Sequence, residues 1–198
     1  MKELNLGSGR ALVIVAHPDD ETIWMGGTLL MNPTIDWTIF SLCRSMDADR
    51  AQKFKKVCDH YGAKSIMTDL EDEGIMNVPQ SIPEIEKCIG THIGSTKVFD
   101  YIFTHGPNGE YGHPRHVGVH RAVRRLRQSK KLRCRQCFYF SYAADVHKRV
   151  YNKNSSTFRA KLAADTHVKK RNIIKKIYGF SYRSFENVSC LAVETFSS

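Results

Sequence analysis

Three side chains of this sequence are of the types that hold a catalytic zinc ion. His17, Asp20 and His116 offer two imidazoles and one carboxylate, and a catalytic zinc site takes three protein ligands and leaves a fourth position open for water. Zinc lowers the pKa of that water to about 7 and polarises a carbonyl oxygen, which suits the hydrolysis of an amide. The sequence therefore predicts Zn²⁺ as cofactor, with another divalent metal such as Fe²⁺ as the alternative.

Amide hydrolysis also needs groups that move protons, and two candidates lie beside the predicted ligands. Asp19 directly precedes Asp20. Because adjacent residues in a turn project differently, one carboxylate can hold the metal while Asp19 faces the water as general base. His113 lies three residues before His116 at the start of a predicted helix, so both rings point the same way. His113 is predicted to protonate the leaving amine or to meet the developing oxyanion.

Two motifs contain all five of these residues. Residues 16–21 read AHPDDE and residues 109–116 read GEYGHPRH, and together they resemble the LmbE/PIG-L family of zinc-dependent N-acetylglucosaminyl de-N-acetylases. A weaker similarity runs through residues 44–63, so that the resemblance covers most of residues 10–125. It implies a Rossmann-like fold and the removal of an N-acetyl group from an amino sugar or glycoconjugate.

The resemblance also implies roles for individual residues. Zinc would bind the three ligands named above, with Asp19 as the general base and His113 as the charged partner of the tetrahedral intermediate. Tyr111, two residues before His113, would help to bind that intermediate. Arg44 and Asp47 would line the sugar pocket.

One position departs from the family pattern. The family usually places an aspartate between the proline and the metal-binding histidine of the second motif, and this sequence has Arg115 there. A carboxylate would favour a charged imidazole on His113, whereas a nearby arginine would disfavour it. Two arrangements follow: either Arg115 points away from His113, or another carboxylate, such as that of Glu110, orients the ring.

The elements that must position these residues alternate between strand and helix. Residues 11–16 form a continuous apolar run, typical of a parallel strand buried on both faces, and residues 22–31 follow as a helix. The pattern repeats with a strand over residues 37–42 and a helix over residues 47–61 that Gly62 ends. Such alternation predicts an α/β fold with a mainly parallel central sheet, and the family resemblance implies that this is a Rossmann-like three-layer sandwich.

The rest of the chain follows the same pattern less regularly. A weaker strand is predicted over residues 65–70, and a short helix should start at the capping box of residues 81–84. The further predictions, in chain order, are a strand over residues 98–104, a glycine-rich loop over 106–112, a helix over 114–126, a strand over 137–142, a long basic helical region over 158–178 and a last strand over 188–195. A single domain over residues 1–198 is expected.

Three polar segments directly follow predicted strands, namely residues 17–21, 44–47 and 105–116. In a doubly wound sheet the ligand binds beyond the carboxyl ends of the strands. We therefore expect the three segments to converge on one rim of the sheet.

Charge is unevenly distributed along the chain, whose formal net charge is +10. Residues 1–110 carry 10 Lys and Arg against 16 Asp and Glu, and residues 111–198 carry 20 against 4. The basic residues lack the interleaved aromatic side chains of a stacking platform, so nucleic acid is not the expected partner. The basic half would instead favour a small N-acetyl amino sugar or glycoconjugate that is anionic.

No segment of the sequence is predicted to cross a membrane. The chain has no apolar run of about 18 residues, and its first five residues lack the basic-then-apolar layout of a signal peptide. The six cysteines are expected to be reduced thiols. A cytoplasmic protein is predicted, and a homo-oligomer is left open.

Several alternatives stay open at this point. His120 competes with His116 for the metal because it lies four residues later on the same helical face, and His105 could enter the site from the end of its strand. Trp24 is assigned to the core. A hydrolase of the same fold could act on a non-sugar amide, and a non-catalytic protein could keep the scaffold and bind nucleic acid through its basic carboxyl-terminal half.

Overall fold

A computed structural model of the chain describes residues 1–94 and 96–198. Its helices are α1 (Asp20–Met31), α2 (Ala48–Tyr61), α3 (Val78–Ile93), α4 (Gly109–Gly112), α5 (Pro114–Gln128), α6 (Ala164–Lys176) and α7 (Phe185–Val188). Its strands are β1 (Lys2–Glu3), β2 (Arg10–Val15), β3 (Asp36–Ser41), β4 (Lys64–Met67), β5 (Val98–Thr104), β6 (Arg133–Phe140), β7 (Tyr142–Ala144), β8 (Val150–Asn152), β9 (Phe158–Lys161) and β10 (Val193–Ser197). Within these two described ranges, a helix with the length and apolar character of a membrane span is not found.

Eight of the strands form one sheet in the order β1-β9-β10-β6-β5-β2-β3-β4. The strands from β6 to β4 are all parallel, whereas β10 pairs antiparallel to both β6 and β9. Strands β7 and β8 form a separate antiparallel hairpin just after β6. The predicted α/β fold with a mainly parallel central sheet is confirmed.

Alternating residues of β2 supply two cores, one on each face of the sheet. The odd-numbered residues from Ala11 to Val15 pack with α1, α2 and α6. The even-numbered residues from Leu12 to Ala16 pack with α3 and α5. All of these side chains are fully buried, as a parallel strand covered by helices on both faces requires.

Helix α1 begins at the predicted metal site and is kinked at Met25, whose φ of −148° is not helical. Beyond the kink, the N–H groups of Gly27 and Thr28 each donate to the carboxylate of Glu194 at 2.7 Å. The same carboxylate pairs with Lys170 at 2.7 Å, and both side chains are fully buried. A buried charge needs such partners, and this one fastens α1 to β10 and α6.

The start of helix α3 differs from the prediction. The helix begins at Val78, and Asn77 and Gln80 form its capping box, since each side chain accepts a hydrogen bond from the other residue's N–H. The predicted capping box at residues 81–84 is therefore wrong, and Pro83 lies inside the helix.

The carboxyl-terminal elements also differ from the prediction. The predicted helical region over residues 158–178 begins as strand β9, because these residues pair with β1 and β10, and only then continues as α6. The predicted strand over residues 188–195 is replaced at its start by α7, which the Ser184 side chain caps. The predicted loop over residues 106–112 contains the short helix α4.

Candidate active site

The polar segments after β2, β3 and β5 meet at the carboxyl ends of these neighbouring parallel strands, where the fold class places its ligands. They surround a cavity of about 340 Å³. Seven of the eight side chains named from the sequence line this cavity: His17, Asp19, Asp20, Arg44, Asp47, Tyr111 and His113. The eighth, His116, is fully buried and contacts two of these side chains, Asp20 and His17.

The three predicted metal ligands converge on one point. His17 Nδ1 lies 3.4 Å from Asp20 Oδ2, His116 Nε2 lies 3.3 Å from the same oxygen, and the two ring nitrogens are 3.3 Å apart. Ligand atoms at about 2.0–2.2 Å from a tetrahedral zinc ion would lie about 3.3–3.6 Å from one another. The three atoms therefore have the spacing of one face of such a site, and these residues fit the metal.

The carboxylate of Asp20 is held so that one oxygen faces the two rings. Trp24 Nε1–H donates to Oδ1 at 2.9 Å, and the backbone N–H of His17 donates to Oδ2 at 2.9 Å. Burial alone would raise the pKa of Asp20, but the neighbouring imidazoles of His116 and His105 hold it well below its ordinary range. The ionised form, which is the one that binds metal, is thus stabilised, and Trp24 does more than fill the core.

The ring of His116 is oriented by Glu110. The Oε2 atom of Glu110 accepts hydrogen bonds from His116 Nδ1 at 2.6 Å and from His105 Nδ1 at 2.7 Å. Because a carboxylate can only accept, Nδ1 of His116 carries a hydrogen, which leaves Nε2, the nitrogen that faces Asp20, as the atom available to a metal. Burial opposes ionisation of Glu110, yet the two histidines lower its pKa to about 2.

His105 and His120, the alternatives to the predicted ligands, have other partners. The ring of His105 stacks on His116 with centroids 3.8 Å apart, and its Nε2 accepts the N–H of Ala16 at 3.0 Å. With Glu110 on Nδ1, both nitrogens of His105 are engaged. His120 contacts the carbonyl oxygen of His105 through Nδ1 at 2.9 Å, so it supports His105 rather than reaching the three ligands.

Asp19 lies in the cavity wall and has an unusual backbone. Its φ of 113° is strained for an L-residue, at a cost of about 1–3 kcal/mol that the surroundings must offset. Its N–H donates to Glu21 Oε2 at 3.0 Å, and its carboxylate pairs with Arg50 at 3.3 Å. Burial, followed by the adjacent carboxylates of Asp20 and Glu21, raises the pKa of Asp19 well above its ordinary value. A carboxylate in this environment is a better proton acceptor.

His113 caps the start of helix α5 with its own ring. Its Nδ1 accepts the N–H of Arg115 at 3.3 Å, so in the neutral imidazole the hydrogen is on Nε2. The ring centroid lies 4.6 Å from that of His116 and 4.8 Å from that of His17. Burial and then the charges of these two histidines lower the pKa of His113 to about 4. The surroundings of His113 therefore favour the neutral ring, in contrast to the charged partner that the family resemblance implies. Tyr111 lies beside it at a centroid distance of 5.7 Å.

Arg115, the departure from the family pattern, directs its guanidinium to Glu71. The two side chains pair at 3.1 Å, and that of Arg115 is only 5% exposed. Of the two arrangements expected, the structure has the first, in which the arginine points away from His113. Glu110 is bonded to His116 and His105 rather than to His113.

Arg44 and Asp47 lie where a sugar pocket was expected. Asp47 caps helix α2 by accepting the N–H of Arg50 at 3.0 Å, and Arg44 pairs with Asp72 at 3.1 Å. Asp72 also bonds Nε2 of His17 at 2.9 Å. Asp72 was not among the predicted site residues because no motif surrounds it, although the acidic run of residues 69–73 in which it lies was a usable signal.

The cavity wall extends beyond the two motifs. Phe185 and Glu186 of helix α7 line the cavity, and the ring of Phe185 lies 4.7 Å from that of Tyr111 in an edge-to-face arrangement. Neither a motif nor the end of a predicted strand marks residues 185 and 186 in the sequence, so this segment was not assigned to the site.

Comparison with known proteins gives one family and several solved structures. The model of the PIG-L family, described as GlcNAc-PI de-N-acetylase, matches residues 12–126. The conserved protein TT1542 from Thermus thermophilus is 15% identical, with a TM-score of 0.68 over 95% of this chain and 93% of that one. The N,N′-diacetylchitobiose deacetylase from Pyrococcus horikoshii is 15% identical, with a TM-score of 0.62 over 94% and 82%.

The same fold also occurs in a different kind of enzyme. The 4-carboxy-2-hydroxymuconate hydratase GalB from Pseudomonas putida is 13% identical, with a TM-score of 0.59 over 91% of this chain and 82% of that one. Identities this low establish a shared fold, and a fold by itself does not specify a reaction.

Proposed function

The chain belongs to the PIG-L family of GlcNAc-PI de-N-acetylases, and on this premise we propose that it is a zinc-dependent deacetylase. Its substrate would be an N-acetyl amino sugar or glycoconjugate, and its products acetate and a free amine. The observation that carries the proposal is the triangle formed by His17 Nδ1, Asp20 Oδ2 and His116 Nε2, with sides of 3.3–3.4 Å. Asp19 lies beside this triangle in the same cavity.

The residues around the triangle have separate roles in the proposed hydrolysis. A zinc ion bound there would polarise the acetyl carbonyl and make water a nucleophile at neutral pH. Asp19 accepts the proton of the attacking water and passes it to the leaving nitrogen. The Nε2–H of His113 donates a hydrogen bond to the carbonyl oxygen as negative charge develops on it. Tyr111, next to His113, helps to bind the tetrahedral intermediate.

The lining of the cavity supports a sugar as substrate. Its volume of about 340 Å³ lies within the range of about 300–1,000 Å³ for ligand pockets. Tyr111 and Phe185 offer apolar faces against which a sugar ring can pack, and Arg44 and Arg50 offer donors to hydroxyl or anionic groups. An anionic group on the sugar would have Arg44 and Arg50 as its partners, because no lysine or arginine of residues 111–198 is among the lining residues.

Metal content and acetate release test the proposal together. Protein stripped of metal and titrated with Zn²⁺ is expected to bind about one ion per chain and to release acetate from N-acetyl amino sugars only when zinc is bound. His17→Ala and His116→Ala should lose both properties. A protein that stays metal-free at saturating zinc, or a His116→Ala variant that keeps both properties, would refute the proposal.

The choice of substrates separates the proposal from the non-sugar alternative. N-acetyl amino sugars, with and without a phosphate, are compared with N-acetylated amines that lack a sugar. We expect acetate release from the sugars, with preference for the anionic ones. Equal release from the non-sugar amides would contradict the substrate assignment while leaving the amide chemistry intact.

A further inference from the structure

We propose that Asp72 is a positioning residue, which fixes the ring of His17 so that Nδ1 faces the divalent metal. The inference rests on the function proposed above. It adds a residue outside the two motifs, on the loop that joins β4 to α3.

The contact between Asp72 and His17 determines which nitrogen is free. Asp72 Oδ1 lies 2.9 Å from His17 Nε2, and the other ring nitrogen, Nδ1, lies 3.4 Å from Asp20 Oδ2. Because a carboxylate only accepts, Nε2 carries a hydrogen and the lone pair of a neutral ring is on Nδ1. A carboxylate bonded to the far side of a ligand histidine fixes the orientation of the ring and makes it a stronger ligand.

The carboxylate of Asp72 is itself held in place. Arg44 donates to Oδ2 at 3.1 Å, so each oxygen has its own partner. The Asp72 side chain is 12% exposed. The start of the loop is fixed as well, since Leu70 is buried and its N–H donates to the carbonyl of Leu42 at 2.8 Å. The loop therefore delivers Asp72 in one defined position.

Arg115 secures the same loop from the other side. The carboxylate of Glu71 accepts the N–H groups of Ile75 at 3.0 Å and Met76 at 2.8 Å, which closes the loop on itself. Its Oε2 atom also pairs with the buried guanidinium of Arg115 at 3.1 Å. The arginine that stands where the family usually has an aspartate thus acts, through Glu71, on the segment that carries Asp72.

Zinc affinity is the measurement that isolates this role. Asp72→Ala removes the contact, and Asp72→Asn keeps its shape without the charge. Asp59→Asn is the matched control, since that side chain is 62% exposed on helix α2 and pairs with Lys55. Competition with a chelator should show zinc binding about 10–100-fold weaker in Asp72→Ala, the range known for such supporting partners. Asp72→Asn should lose less, and Asp59→Asn nothing.

The cobalt-substituted protein provides a readout that a general loss of stability would not mimic. Its visible absorption bands, which report ligand geometry, should shift in both Asp72 variants and stay unchanged in Asp59→Asn. Asp72 variants that fold, bind zinc as tightly as the native protein and keep its cobalt spectrum would overturn the inference alone. A native protein that binds no zinc would instead overturn the proposed function, and the inference with it.

Discussion

Each predicted metal ligand forms a hydrogen bond to a second polar side chain, and that side chain can act only as an acceptor or only as a donor. Glu110 and Asp72 can only accept, and they engage the far nitrogens of His116 and His17, while Trp24 can only donate and engages the far oxygen of the aspartate. The lone pairs that remain point inward. The geometry of the site is therefore set by the protein itself, which lowers the cost of ordering ligands when a metal binds.

Replacing Glu110 by Gln tests this arrangement for His116. Both imidazole N–H groups contact Oε2 of Glu110, and the N–H of Gly106 donates to Oε1. In either orientation the NH₂ group of glutamine would therefore oppose at least one N–H donor, and its neutral oxygen is a weaker acceptor than a carboxylate. We expect zinc affinity to fall by about 10–100-fold, measured by chelator competition. Unchanged affinity in a folded Glu110→Gln variant would show that Glu110 does not orient the ligand.

Asp19→Asn separates proton transfer from metal binding. The amide cannot accept a proton from water, so acetate release should fall by about 10²–10⁴-fold, whereas the zinc content should stay at the native value because Asp19 is not a ligand. Asp49→Asn on the exposed face of helix α2 is the control and should change neither quantity. Full activity in Asp19→Asn would remove this residue from the mechanism.

The two motifs and the end of one strand were sufficient to name seven of the 14 residues that line the cavity. Those residues are next to strand ends, where the fold class itself places ligands. Asp72 and Phe185 could not be named in this way, because they lie on irregular segments whose positions depend on contacts distant in sequence. Trp24 was assigned to the core from its apolar type, and its N–H donor to Asp20 was overlooked.

At the scale of elements, periodicity succeeded where the local pattern was decisive. The apolar run that predicts β2 and the glycine that ends α2 need no distant partner to be recognised. The prediction for the residues of strand β9 was wrong for the opposite reason. Its residues alternate between inward and outward, but the basic helix that follows hides this short pattern, and its partners β1 and β10 are remote in sequence.

Arg115→Asp reintroduces the family's usual residue at the start of helix α5, opposite the loop that carries Glu71. The new carboxylate would repel Glu71, so we expect a lower melting temperature and weaker zinc binding. The double variant Arg115→Asp with Glu71→Gln removes the repulsion and keeps an oxygen that can accept a loop N–H, so it should recover part of both losses. If Arg115→Asp alone bound zinc more tightly than the native protein, the ion pair would not be what positions the loop.

Lys170→Met tests the ion pair that fastens helix α1. It leaves the fully buried charge of Glu194 without its ammonium partner, and breaking a buried pair in this way costs about 3–5 kcal/mol of unfolding free energy. Denaturant unfolding measures the loss. Lys169→Met, whose side chain is 66% exposed, is the control and should be nearly neutral. Equal effects of the two substitutions would contradict a role for the buried pair.

At the scale of the whole molecule, the metal would join parts of the chain that are far apart. His17 follows β2 and precedes helix α1, which packs on one face of the sheet, while His116 belongs to helix α5, which packs on the opposite face. A ligand that binds only the folded state stabilises it by about 2.7 kcal/mol when its concentration is 100 times the dissociation constant. Thermal unfolding should therefore shift upward with added zinc and downward with a chelator.

His116→Ala provides the control for this shift. Without one of the three ligands, the melting temperature should no longer respond to zinc or to the chelator. The same response in His116→Ala as in the native protein would mean that the stabilising ion binds elsewhere.

The match to the family spans residues 12–126, yet part of the cavity wall comes from Phe185 and Glu186. The proposed metal ligands all lie within the family match, whereas this part of the wall lies outside it. Substitutions in the short α7 segment would therefore reshape the cavity without changing any proposed ligand.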